Sequence, residues 1–112
     1  MNTRIMYVEC KTGRNDCGRA RIVRVTFSKS GRSIRYRGLL LQRCNDPHGG
    51  NYFDANTGLA YWVSGPKKNG QDRHWAGGGP VYIDQDVVDE YWRNIRGREP
   101  PENPFLTWKR YA

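Results

Sequence analysis

The stretch RIVRVTFSKSGRSIRYRG, residues 21–38, constrains the fold more than any other part of the chain. β-branched and aromatic residues alternate with polar ones on both sides of a Ser-Gly pair, a two-residue period that suits a strand and not a helix. A turn centred on Ser30-Gly31 sets Phe27 opposite Ile34 and Val25 opposite Tyr36 on one face. The other face then carries Thr26 opposite Arg35 and Arg24 opposite Arg37. The chain is therefore built around an antiparallel hairpin with an apolar side and a basic side.

The flanking sequence extends this pattern. RIMYVECK (4–11) has the content of a strand, followed by a turn between Gly13 and Gly18. Leu39, Leu40 and Leu41 continue the second arm, and Cys44 to Asn51 form a polar loop. NYFDANTGLAYWVSG predicts a second hairpin, with Gly58 in its turn at positive φ and Leu59 to Ser64 as the return strand. A long loop, GPKKNGQDRHWAGGGP (65–80), leads to a short strand at Val81-Tyr82-Ile83.

The period then changes. Asp84 or Asp86 caps a predicted helix with an acidic first turn, Val88, Trp92 and Ile95 toward the sheet, and Gly97 just past its end. Three prolines in REPPENPFLTWKRYA stop it. The expected architecture is α+β: a twisted, mostly antiparallel sheet of five or six strands or a small barrel, with one C-terminal helix. Residues 1–97 make a single domain and residues 98–112 a Pro-rich tail whose rings, Phe105, Trp108 and Tyr111, are available to clip it to the body.

Composition bounds the function. With 112 residues there is one modest core and little room for a separate catalytic domain. Hydrophobic residues are 37%, yet four Trp and seven Tyr argue against disorder. No apolar run approaches the eighteen or so residues that span a bilayer, and no signal-peptide pattern opens the chain, so a cytoplasmic protein with reduced thiols is expected. The net charge is +8 and unevenly placed. Residues 1–43 carry eleven Lys/Arg against Glu9 and Asp16, a net of +9, and the remainder carries eight against nine, a net of −1. A one-sided positive field attracts polyanions.

The phrases RIMYVECK, RVTFSKSGR, YRG, YWVSGPKKNGQDR and YIDQDVVDEYWRNIRG resemble a group of small bacterial proteins whose function is uncharacterised, over roughly residues 4–97. The tail and the positions of Cys17, Cys44 and His48 fall outside that pattern. Some members of the group carry the name 1-deoxy-D-xylulose-5-phosphate synthase. That enzyme is a multidomain thiamine-diphosphate protein, and a single small domain without its Gly-Asp-Gly diphosphate segment does not fit the name.

Four sets of residues are candidates for chemistry. Arg24 and Arg37, opposed across the hairpin with Arg35 alongside and Arg21 and Arg32 nearby, repel by about 0.2–1 kcal/mol, a cost that a bound polyanion converts to attraction and that a basic face also bears simply to resist aggregation. In the long loop, Lys67, Lys68 and Arg73 are cations among glycines, as phosphate cradles use them, although the Gly-x-x-x-x-Gly-Lys-Ser/Thr pattern is absent. His74 beside Asp72 and Lys68 has the parts of a metal-independent ribonuclease. Cys10, Cys17, Cys44 and His48 could supply four zinc ligands, but at spacings unlike a Cys-x2-Cys knuckle. No metal or organic cofactor is expected.

The expected function is a non-enzymatic module that binds an anionic partner, nucleic acid first, through Arg24, Arg35, Arg37, Lys67, Lys68 and Arg73. An adaptor, inhibitor or immunity-type module for an acidic protein is the alternative, and a ribonuclease-like enzyme using His74 a second one.

Overall fold

The computed structural model describes residues 2–10, 20–45, 50–68 and 81–107. Among the described residues eight strands run in chain order: β1 (Asn2–Cys10), β2 (Arg21–Phe27), β3 (Ser33–Tyr36), β4 (Leu39–Arg43), β5 (Tyr52–Asp54), β6 (Ala60–Ser64), β7 (Val81–Ile83) and β8 (Leu106–Thr107). The first six close on themselves as an antiparallel barrel, because β1 pairs with both β2 and β6 and the others follow in the order β6-β5-β4-β3-β2. Closure removes the exposed edges that short polar-faced strands would otherwise present. β7 adds to β2 in parallel and β8 to β7 antiparallel.

The first hairpin pairs Phe27 with Ile34 and Thr26 with Arg35, as its sequence predicts. Its loop is closed by Ser28 N–H bonding to Ser33 C=O at 2.9 Å, while the Ser28 hydroxyl accepts from Ser33 N–H at 3.1 Å. Gly31 sits at φ 75° within it. The arm then stops earlier than its pattern suggests. Arg37 (φ 48°) and Gly38 (φ 79°) form a tight reversal that pairs Tyr36 with Leu39 and starts β4 as a new strand. Val25 and Arg24 consequently lie outside the β2–β3 pairing, and the expected Arg24–Arg37 opposition does not form; across from Arg24 is Ile5 of β1.

The second hairpin forms as its sequence predicts. The Asp54 carboxylate accepts from Asn56 N–H at 2.8 Å, Gly58 at φ 76° donates to Asp54 C=O, and β6 returns from Ala60.

Alternation along the six strands gives two apolar layers. Inside the barrel lie Val23, Val25, Ile34, Leu41, Tyr61 and Val63, with Met6, Phe27, Tyr36 and Leu39 packed against them. Outside it, Tyr7 of β1 and Ile22 of β2 pack beneath Val81, Ile83, Val87, Tyr91 and Trp92, with Ile5 and Trp62 at the margin. Glu9 shares this outward side of β1, and its buried carboxylate accepts the Tyr7 hydroxyl.

The C-terminal segment departs from the expected regular helix. A 3-10 turn covers Gln85–Val87 and a π-helical piece covers Glu90–Ile95, with Arg96 N–H donating to Tyr91 C=O, five residues back, at 2.9 Å. Asp84 makes no side-chain cap; its carboxylate is engaged elsewhere. The π-helical piece lays Tyr91 and Trp92 on the barrel beside Val87 of the 3-10 turn, with Val88 and Ile95 half-buried next to them. Gly97 ends the segment at φ 67°.

The chain then folds back over Trp92. Its indole N–H donates to Pro104 C=O at 2.7 Å, and the guanidinium of Arg96 lies 4.8 Å from the ring centroid. Phe105 is exposed, while Trp108 and Tyr111 lie outside the described residues. No helix among the described residues is long and apolar enough to cross a membrane.

Leu41 is fully buried inside the barrel, so Leu41→Ala should lower unfolding free energy by about 2–5 kcal/mol in urea denaturation; a loss under about 1 kcal/mol would contradict a packed barrel interior.

Candidate functional site

Because the strands alternate in direction, the barrel has two ends with different charge. One end collects the termini of β1 (Cys10), β3 (Tyr36) and β5 (Asp54) and the start of β2 (Arg21). β7 runs alongside the start of β2 and delivers Asp84 there: Asp84 N–H donates to Ile22 C=O at 3.0 Å. Its carboxylate, 7% exposed, receives Arg37 at 2.8 Å and lies 3.7 Å from Arg21. Each guanidinium also lies over a tyrosine ring, Arg21 on Tyr82 and Arg37 on Tyr36. Desolvation raises the Asp84 pKa above the ordinary carboxyl value, and the two arginines pull it back down.

Arg24 follows the same logic on the outer wall of β2. It donates to Glu90 at 2.6 Å and approaches Asp86 at 3.7 Å. The Glu90 hydrogen bond is the main reason its pKa is raised. Two of the arginines that the sequence suggests for anion binding, Arg24 and Arg37, are thus engaged by the acidic segment 84–90. A partner is present, but it belongs to the same chain.

The opposite end collects the start of β1, the β2–β3 loop, the end of β4, the start of β5 and the chain leaving β6. Arg4, Lys29, Arg32, Arg43, Lys67 and Lys68 belong to these segments. Among the described residues, positions 2–6, 25–34, 42–45, 50–53 and 62–68 contain no Asp or Glu. The loop is held over this end by two bonds: the Tyr52 hydroxyl donates to Gly31 C=O at 2.9 Å, and Arg43 N–H donates to Arg32 C=O at 2.8 Å. That second bond sets Arg32 and Arg43 side by side. Burial raises the Tyr52 pKa, and the charge of nearby Arg43 opposes the shift. Asn51 fixes the exit of β6 by bonding both ways with the Val63 backbone, Nδ2 to C=O at 2.7 Å and N–H to Oδ1 at 2.8 Å.

Arg35 is the remaining arginine of the expected face. It is exposed on the outer wall of β3 and, like Arg4, Arg32, Arg43 and Lys68, forms no ion pair among the described residues. The structure therefore divides the expected anion-binding set: Arg24 and Arg37 are internally paired, Arg35 is exposed, Lys67 and Lys68 belong to the acid-free end, and Arg73 lies outside the described residues. Arg4, Lys29 and Arg43 were not among the candidates, and Arg32 entered only as a neighbour of the expected Arg24–Arg37 pair. Assigning every turn to one end by strand parity would have gathered them.

Of the catalytic candidates, Lys68 is exposed and Asp72 and His74 lie outside the described residues. The zinc set changes more. Cys10 is in a disulfide, which removes it as a thiolate ligand and overturns the expectation of reduced thiols there, while Cys44 takes part in no disulfide. Cys17 and His48 lie outside the described residues, and no group of three metal-ligating side chains occurs among those described.

No family model, characterised protein or solved structure matches the chain. Function rests on the geometry.

The raised Asp84 pKa fixes the sign of a pH effect. An acid that holds its proton more tightly folded than unfolded adds stability below its unfolded pKa and loses that contribution as pH rises through the folded value. In urea denaturation the stability margin of the native protein over Asp84→Asn should therefore widen between about pH 6 and about pH 3. A margin that narrows on acidification would mean that the arginine pairing outweighs burial.

Proposed function

We propose that the protein is a non-enzymatic binding module for an anionic polymer, with nucleic acid as the partner class, and that it engages this partner through the acid-free end of the barrel. The observation that supports the reading is the segregation of charge: one end pairs its arginines with carboxylates, while the described segments at the other, which carry six cations, contain no Asp or Glu. Like charges held together repel, and a polyanion relieves that repulsion while releasing its own counterions. The 65–75 loop contributes through Lys67 and Lys68, which leave β6 at this end.

The reading differs from a binding face on the β2–β3 hairpin. Arg24 and Arg37 hold the C-terminal segment to the barrel, and recruiting them for a ligand would cost those pairs. As for setting, a disulfide at Cys10 fits an oxidising compartment better than the reducing cytoplasm.

Six contacted phosphates correspond to a slope of about −4 to −5 in log affinity against log salt. Titrating a fluorescently labelled oligonucleotide at several salt concentrations should give a slope of this order. The double variant Arg32→Glu/Arg43→Glu should flatten the slope and weaken binding uniformly across sequences, whereas Arg24→Gln should leave both nearly unchanged. Absence of salt-sensitive binding at low ionic strength would remove the nucleic-acid reading. Recovery of one acidic protein in fixed stoichiometry, with oligonucleotides ignored, would replace it with a protein-interaction module.

A further inference from the structure

The acid-free end continues onto one part of the outer wall. Residues 81–107 cover the outside of β1, β2 and β6, where Tyr7, Ile22 and Trp62 meet Ile83, Val87 and Trp92. The outside of β3, β4 and β5 receives no such cover among the described residues. Strand parity places Ser33, Arg35, Leu40, Gln42 and Phe53 there, since Ile34, Leu41 and Tyr52 between them point into the barrel core. The register aligns them in rows: Ser33 opposite Gln42 and Gln42 opposite Phe53, with Arg35 opposite Leu40 in the next row.

Phe53 is the unexplained residue on this wall. It is half-buried and belongs to neither apolar core, although it follows Tyr52, which the barrel interior absorbs. Its directly opposed register neighbours are Gln42 on one side and the small Ala60 on the other. An outward phenyl needed only for packing would gain more from an apolar neighbour on the adjoining strand. The wall also carries charge of one sign. Arg35 is exposed, Arg43 follows Gln42 directly, and no carboxylate occupies an outward position here, since Asp54 is buried.

Cations at the edge of a sheet and an outward ring one residue step away are the two parts of a surface that holds single-stranded nucleic acid: phosphates on the cations and a base stacked on the ring. We infer that, given the binding reading above, the strand is single-stranded and crosses the outer wall of β3–β5 from Arg32 and Arg43, with Phe53 as its stacking platform and Gln42 beside it able to hydrogen-bond a base edge. A duplex keeps its bases stacked on one another and offers Phe53 no free face. Stacking tolerates any base, so the preference is for strandedness and not for sequence.

The test compares a labelled oligothymidylate with a labelled duplex of equal length by fluorescence anisotropy, using the full chain. The native protein should prefer the single strand. Phe53→Ala should weaken single-strand binding about tenfold with the salt slope and duplex affinity unchanged. Phe53→Leu, which keeps apolar bulk without a ring and guards against misfolding, should do the same, and Phe53→Tyr should bind as the native protein does. If both ring-deleting variants bind the single strand normally while Arg32→Glu/Arg43→Glu does not, the stacking inference is overturned and the cationic site stands. Preference for duplex also overturns it. If the native protein binds neither oligonucleotide, both readings fall together.

Discussion

The carboxylate of Asp84 is the contact on which the remaining arrangement depends. It is buried where β7 meets the barrel, and a buried carboxylate requires partners. Arg37 supplies the close one, from a backbone position at φ 48° that costs a non-glycine residue about 1 kcal/mol or more. Ion pair and strained turn thus support each other. The turn ends β3 early and starts β4, and the pair fixes the beginning of the segment that carries Val87, Tyr91 and Trp92 onto the outer wall. With Arg37 more than half exposed, the pair itself contributes only about 1 kcal/mol. Its larger effect is to decide which wall of the barrel is covered.

That choice also distributes charge. The segment 84–90 brings Asp84, Asp86 and Glu90 to the arginines of β2 and of the Arg37 turn, so these become structural. The described segments that make up the other end contain no Asp or Glu. A chain of +8 could have spread its excess evenly; here it is concentrated by topology, because antiparallel strands bring the β2–β3 loop, the end of β4 and the exit of β6 to one place. Affinity for a polyanion then follows from placement more than from total charge.

Much of the barrel was legible in the sequence because its signals are local. The Phe27–Ile34 pairing, the Asp54–Gly58 turn and the short β7 follow from period-two alternation and turn residues within a few positions. The Arg37-Gly38 reversal was not legible: YRGLL reads as continuous strand, and an arginine is an unusual choice where such a turn normally takes Asn, Asp or Gly. Apolar residues at 87, 88, 91, 92 and 95 suit a regular helix as well as the wider π form, and only packing decides. The Arg24–Glu90 pair joins residues 66 apart, beyond any local pattern. The binding residues were half legible. The basic bias of residues 1–43 was plain, but it pointed first to Arg24 and Arg37, which the fold consumes, with Arg32 only as their neighbour and without Arg43, both of which the fold leaves exposed.

The central claim is that the two ends of the barrel have different roles, and amide chemical shifts report on each end separately. Titration of the isotopically labelled protein with a short single-stranded oligonucleotide should perturb the amides of Arg32, Arg43 and Phe53 together, and leave those of Arg21, Arg37 and Asp84 in place. Perturbation centred on Arg21, Arg37 and Asp84 instead would contradict the account, because it would put the ligand where the chain already supplies its own anion.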